Sequence, residues 1–244
     1  MRVPPYWLVI PAAGSGQRFG ATLPKQYQRL AGQTVLEHAL CAFLGDDRLL
    51  GAVVALPADD RHFATLPLAR HERLHVVVGG ATRADSVRSA LSRVGEMVVG
   101  DPWVLVHDAA RPLVSHAEID ALLAALVDAR APAAEGALLA VPVADTLKRC
   151  NVEGEVHETV DRQALWRAMT PQAFRYSKLH LALDTAYREG RTVTDESSAI
   201  EALGIRPRVV AGDPSNLKIT EASDLGLAEL ILQARLGSDQ PINK

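Results

Sequence analysis

The chain has 244 residues, of which 48% are hydrophobic and 23% charged. That supplies core for one large α/β domain or two small ones and excludes wholesale disorder. A net charge of −3 excludes a general nucleic-acid binder, which carries a basic excess, so an anionic ligand must be met by locally gathered cations.

The first apolar run, Leu8 to Ile10, reads as a buried strand that stops at Pro11. Ala12-Ala13-Gly14-Ser15-Gly16-Gln17-Arg18-Phe19-Gly20 follows, and then Leu23-Pro24-Lys25-Gln26. Gly14, Gly16 and Gly20 let a ligand come close to the backbone. Arg18 and Lys25 add full positive charge. A strand, a glycine-rich turn and following cations make a phosphate cradle. The dinucleotide fingerprint is absent, because Phe19 stands where its third glycine belongs. So is a Walker loop, which needs Gly-Lys-Ser/Thr. A tight turn with an incidental arginine is the plain alternative. Lysine pinned behind Pro24 argues against it.

Strand and helix patterns then alternate. Thr34 to Leu44 reads as a helix, Gly51 to Leu56 and Leu74 to Val78 as strands, and Arg83 to Val94 as a helix. Trp103 to Val106 is a strand ending at His107-Asp108. Ser115 and Glu118 form a capping box for a helix from Ala117 to Arg130. Ala137 to Val141 is a further strand. Continuous apolar strands separated by helices indicate a mostly parallel sheet covered on both faces. Ligands of such sheets sit at the carboxyl ends of the strands. Ala12-Ala13-Gly14, Gly79-Gly80 and His107-Asp108 all fall there.

The pattern breaks between Pro142 and Pro171. Thr146 to Cys150 and Val156 to Val160 read as a hairpin around Asn151-Val152-Glu153-Gly154. It has too few partners to be stable alone, so it is either a surface flap or an arm that packs on a second subunit. Helices from Lys178 to Arg188 and Glu196 to Leu203, strands from Arg208 to Ala211 and Leu217 to Thr220, and a helix from Glu221 to Ala234 complete the chain. One domain, residues 1–244, with a β-arm at about 142–171 is the expected organisation. Cys41 and Cys150 suggest no disulfide framework and a reducing cytoplasm. No segment is long enough to cross a membrane, and Pro4, Pro5 and Pro11 interrupt the N-terminal stretch that would otherwise resemble a signal peptide.

His71-Glu72-Arg73-Leu74-His75 matches the zinc-protease pattern H-E-x-x-H, which needs both histidines on one helix face. His75 opens the β-like run Val76-Val77-Val78, so an exposed loop is the better reading. Asp108, at a strand end, suits Mg²⁺ on triphosphate oxygens, a ribose hydroxyl, or a plain cap. In Gly79-Gly80-Ala81-Thr82-Arg83-Ala84-Asp85-Ser86, backbone amides and the Ser86 hydroxyl can read a small base, and Arg83 can reach phosphate.

Pro11-Ala12-Ala13-Gly14-Ser15-Gly16-Gln17-Arg18 with Pro24-Lys25-Gln26-Tyr27 resembles the nucleotide-binding signature of the 2-C-methyl-D-erythritol 4-phosphate cytidylyltransferase family. Val106-His107-Asp108-Ala109-Ala110-Arg111-Pro112, Thr194-Asp195-Glu196-Ser197-Ser198-Ala199 and Asn216-Leu217-Lys218-Ile219-Thr220 resemble further signatures of it. So do the segments around Thr146, Arg162 and Thr170 in and beside the arm. Ala81-Thr82 departs from the acidic residues that family members often carry.

The resemblance implies a three-layer α/β/α sandwich with a Rossmann-like sheet and an inserted β-arm. It implies an enzyme that joins CTP to methylerythritol phosphate and releases pyrophosphate, as part of isoprenoid precursor synthesis. CTP is implied to contact Ala12, Ala13, Gly14, Gly16, Gly80, Arg83, Ser86, Asp108 and Ala109. The acceptor is implied to contact Arg111, Thr146, Arg162, Thr170, Thr194 and Lys218. Arg18, Lys25, Arg162 and Lys218 are the implied catalytic cations, and Asp108 the carboxylate nearest Mg²⁺. A homodimer formed through the arm is the expected assembly. A cytidylyltransferase for another polyol phosphate, such as ribitol 5-phosphate, is one alternative, and a non-catalytic nucleotide-binding protein is another.

Overall fold

The computed structural model describes residues 3–14, 23–128 and 134–238. In chain order its elements begin with β1 (Tyr6–Pro11), β2 (Arg29–Leu30), β3 (Gln33–Thr34), α1 (Val35–Leu44), β4 (Leu49–Leu56), β5 (Leu74–Val78), α2 (Arg83–Met97) and β6 (Trp103–Val106). Then come α3 (His116–Leu126), β7 (Gly136–Pro142), β8 (Leu147–Cys150), β9 (Val156–Val160), β10 (Trp166–Arg175), α4 (Tyr176–Arg188), α5 (Glu196–Glu201), β11 (Arg208–Ala211) and α6 (Ala222–Ser238).

Seven strands form one sheet in the order β11-β7-β10-β6-β1-β4-β5. All pairings in it are parallel except those of β10, which runs antiparallel to both β6 and β7. Strand periodicity sorts the side chains into two cores. Tyr6, Leu8 and Ile10 face α1 and α3, packing on Leu36, Leu40, Phe43, Ile119 and Leu122. Trp7 and Val9 face the opposite side, where Val87, Leu91, Leu179 and Leu183 of α2 and α4 cover them. The three-layer sandwich expected from the sequence is therefore present.

Capping boxes start the helices where ordered loops must meet the sheet. Thr34 with Glu37 opens α1, Thr82 with Asp85 opens α2, and Ser115 with Glu118 opens α3. Each satisfies two backbone N–H groups and contributes about 1 kcal/mol. The third was expected, although its helix ends at Leu126 rather than Arg130.

Two expectations need correction. Residues 217–220 form no strand. Ile219 N–H bonds the Ala110 carbonyl at 2.8 Å, but that partner is the loop after β6, so no ladder can extend. The strand Trp166–Arg175 was missed. Proline inside a run argues against a central strand, and Pro171 hides this one, with a register irregularity between Ala168 and Gln172.

The arm is accordingly shorter than expected. Pro142 pairs with Trp166, and Val143 N–H bonds the Leu165 carbonyl at 3.0 Å, so the chain leaves and rejoins the sheet at one point. Beyond it, β8 and β9 pair only with each other. Gly154 takes a positive φ of 86° in the connecting turn, which glycine adopts without strain.

Candidate active site

The carboxyl ends of β1, β5 and β6 open into one cleft of about 420 Å³. Ala12, Ala13 and Gly14 follow β1, Gly80 and Arg83 follow β5, and Asp108 and Ala109 follow β6. Lys25 and Lys218 reach it from loops. The convergence at strand ends inferred from sequence is thus realised.

Local packing shows which glycines the fold itself demands. A Cβ on Gly80 would lie 2.2 Å from Asp85 Cβ, so the loop before α2 can only be this tight with glycine there. A Cβ on Gly14 would meet nothing within 4 Å. Gln26 secures the turn after β1, because its buried amide donates to the Ala12 carbonyl at 2.9 Å. It stands next to Lys25, whose ammonium donates to the Ile219 carbonyl at 3.2 Å.

Asp108 is the centre of charge. It is buried, and its Oδ2 accepts from Lys218 at 2.8 Å and its Oδ1 from Arg83 Nε at 2.9 Å. Burial alone would raise its carboxyl. Arg83 and Lys218 outweigh that and hold it well below the usual carboxylate range. Arg83 is anchored again by Glu196, at 2.6 and 3.0 Å. Arg111 lies 3.7 Å from Asp108 and donates to the Asn216 carbonyl at 2.6 Å, and burial lowers its guanidinium.

Behind Asp108 sits His107, fully buried. Its Nε2 lies 2.9 Å from the Arg111 carbonyl, which can only accept, so Nε2 carries the proton. Nδ1 therefore accepts from the Thr170 hydroxyl at 3.0 Å, and that oxygen accepts from Asp108 N–H at 3.0 Å. Burial pushes the imidazole down to about 4, so it is neutral at pH 7.

Several of the expected residues are engaged by neighbours. Arg83 borders the cleft with its guanidinium held by Asp108 and Glu196. Ser86 Oγ accepts from Gly80 N–H at 3.2 Å and donates to the Thr82 carbonyl at 3.0 Å, so it shapes the loop rather than presenting a free hydroxyl. The buried Thr170 hydroxyl accepts from Asp108 N–H and donates to His107 Nδ1 within the same chain.

Thr146 and Arg162 are exposed, and neither borders the cleft. Arg162 instead donates to the Ala144 carbonyl. Thr194 is exposed ahead of α5 and also lies outside the cleft lining. Gly16 and Arg18 lie outside the described residues. His71 follows a short 3₁₀ turn and His75 lies in β5, its ring 6.2 Å from that of Trp7, so no helix pairs them. Sequence reasoning missed Gln26, His107 and Glu196. All three stand inside the quoted motifs, and that was the signal available.

The 2-C-methyl-D-erythritol 4-phosphate cytidylyltransferase family model matches residues 6–234. The chain belongs to this family. Among curated relatives, the enzyme of that name from Pseudomonas putida KT2440 is 48% identical over 224 residues, covering 91% of this chain and 94% of the relative. The one from Shewanella piezotolerans WP3 is 45% identical over 225 residues, with 92% and 94% coverage. A crystal structure of 4-diphosphocytidyl-2C-methyl-D-erythritol synthase superposes with a TM-score of 0.80 at 36% identity, over 94% of this chain and 99% of that one. The cytidylyltransferase of Thermus thermophilus gives 0.75 at 32% identity, over 93% and 98%. The chain is a nucleotidyltransferase of the isoprenoid precursor pathway, with CTP and methylerythritol phosphate as its substrates. No described helix is long and apolar enough to cross a membrane.

Proposed function

We propose that catalysis is in-line attack of the acceptor phosphate on the α-phosphorus of CTP, driven by alignment and charge neutralisation. The observation that carries this reading is the gathering of Lys25, Lys218 and the Arg83–Asp108 pair around one cleft. The phosphate nucleophile is already ionised at pH 7, so no general base is needed. Lys25, together with Arg18, whose part rests on the sequence motif, stabilises negative charge building on the transferring group. Lys218 exchanges Asp108 for the acceptor phosphate and holds it against the triphosphate's repulsion. Ala12, Ala13, Gly14, Gly16, Gly80 and Ala109 supply backbone around the nucleotide, while Arg111 and Thr194, outside the cleft lining, are assigned to the acceptor on their sequence motifs. Residues 1–244 act as one domain, in the cytoplasm.

Mg²⁺ fits this arrangement. Asp108 is the one carboxylate among the described residues lining the cleft, and the described residues contain no cluster of three metal-binding side chains. Mg²⁺ is commonly held by one or two carboxylates, substrate phosphates and water. Asp108 would hold it, and the ion would neutralise triphosphate charge. EDTA should abolish activity and Mg²⁺ should restore it. Unchanged turnover in EDTA refutes the metal.

The acceptor half of the site is proposed to come from a second copy of the chain. Leu147, Val152, Val156, Leu165 and Trp166 are all exposed on or beside the arm. A two-fold dimer would cover them and bring Thr146 and Arg162 to the partner's cleft. Lys25→Ala and Arg162→Ala proteins should each lose about 100-fold or more in kcat. After mixed refolding about half the dimers are hybrids with one intact site each, so activity should return to about a quarter of wild type. No recovery in a mixture shown to contain hybrids would place Arg162 in its own chain's site.

A further inference from the structure

Glu196 is fully buried and does not line the cleft. Its Oε1 and Oε2 accept from Nη1 and Nη2 of Arg83 at 2.6 and 3.0 Å. The terminal nitrogens of the fork are thereby turned away from Asp108, which receives only Nε on Oδ1 at 2.9 Å. The second oxygen, Oδ2, takes the Lys218 ammonium at 2.8 Å, with Arg111 Nε farther off at 3.7 Å. The two carboxylates thus hold Arg83 and Lys218 in one fixed arrangement.

The backbone that carries Glu196 is held from both sides. Gln172 Oε1 accepts from Ser197 N–H at 2.8 Å, and Gln172 Nε2 donates to Asp195 Oδ2 at 2.8 Å. Asp195 caps α5 through Ser198 N–H at 2.9 Å. Removing a carboxylate this completely from water is costly and is no stability device in itself.

We infer that Glu196 is a positioning residue for cytidylyl transfer: it occupies the Arg83 fork so that Lys218 keeps the second oxygen of Asp108. Arginine and carboxylate favour a two-pronged pairing. Without Glu196, the fork of Arg83 turns onto both oxygens of Asp108 and expels Lys218 from its place at the cleft. The side chain of Lys218 is 39% exposed there and only 2.8 Å from Asp108, so it is poised to pass to an incoming phosphate. The inference rests on the role proposed above for Lys218.

The test is a double-mutant cycle on kcat/KM, with folding checked by thermal unfolding. Lys218→Ala in the otherwise wild-type chain should cost about 100-fold, and Glu196→Gln about 30-fold, chiefly in kcat with KM for CTP within about threefold. In the Glu196→Gln background, Lys218→Ala should cost under about fivefold, because Lys218 is already displaced. Additive losses overturn the inference and leave the role of Lys218 standing. A harmless Lys218→Ala in the wild-type background overturns both, so the two failures are told apart. Should Glu196→Gln not fold, Glu196→Asp replaces it. The shorter carboxylate keeps the charge but no longer spans both terminal nitrogens of Arg83, and a reduced cost of Lys218→Ala is expected in that background; additivity there again overturns the inference.

Discussion

The cluster behind the cleft and the arm that leaves the sheet are both rich in charge, yet they are built in opposite ways. Asp108, Glu196 and His107 are buried and engaged within one chain, each at several atoms. Every charge in the cluster has its geometry set by another element, including Arg83 from α2 and Lys218 from the loop before α6. The arm pairs with itself alone, and its charges face solvent. The cluster is therefore set by contacts within one chain. If the arm carries acceptor-binding residues as proposed, it carries them on a segment with no core of its own, and acceptor binding is then tied to whatever orders that segment.

The largest effect that can break this contrast is expected from Asp108→Ala. It leaves Arg83, Arg111 and Lys218 facing one another with their shared carboxylate gone. Removing one member of a buried pair should cost about 3 kcal/mol in urea unfolding. Lys218 adds little, being partly exposed and screened. Pyrophosphate should recover part of the loss, because an anion that binds the folded state stabilises it. A loss below about 1 kcal/mol would show that the cluster shapes the cleft without holding the fold.

A second effect, of similar or smaller size, is acid sensitivity through His107. Its folded value near 4 lies below its ordinary 6.5, so the unfolded chain binds more protons between those values. Stability therefore rises with pH across that window and is lost as pH falls from about 6.5 toward 4, by up to about 3 kcal/mol. The Asp108 carboxyl acts in the same sense, but only as pH falls below about 4, since its folded value is depressed. Urea midpoints at pH 7 and 5 should differ in the wild type and converge in His107→Gln. An equal difference in both proteins would assign the acid sensitivity elsewhere.

The same contrast explains what could be read from the sequence. Strands β1, β4, β5 and β6 and the helices after them announced themselves by apolar runs and spacing, and α3 also by its Ser115–Glu118 cap, because one chain's own burial dictates those patterns. The loops at their ends followed from topology. Trp166–Arg175 stayed hidden, since Thr170-Pro171 looks like a break and its burial comes from flanking strands distant in sequence. Sequence shows Arg83 and Ser86 as a cation and a hydroxyl, and not the carboxylates and backbone groups that hold them. Glu196 passed as part of a motif because it meets Arg83 across 113 positions. The arm was legible as a hairpin, but the sequence of one chain does not specify its docking geometry.

The smallest expected effect sharpens the comparison most finely. Arg149 and Glu158 face each other across β8 and β9 at 2.6 Å, with side chains 63% and 50% exposed. In a free protomer such a pair is screened by water and salt, and holding two long side chains still opposes it. A cycle of Arg149→Ala and Glu158→Ala should give a coupling under about 0.5 kcal/mol. The hairpin supports no core residue, so thermal unfolding of the protomer should shift by no more than that coupling implies. If the arm instead lies under a second subunit, the pair loses solvent, and its coupling should exceed about 1 kcal/mol and fade on dilution of the protein. Measuring the cycle at two protein concentrations separates these cases. A small coupling at both places the pair at the rim of any interface or outside it. A coupling that grows with concentration puts the middle of the hairpin inside a contact between two copies of the chain.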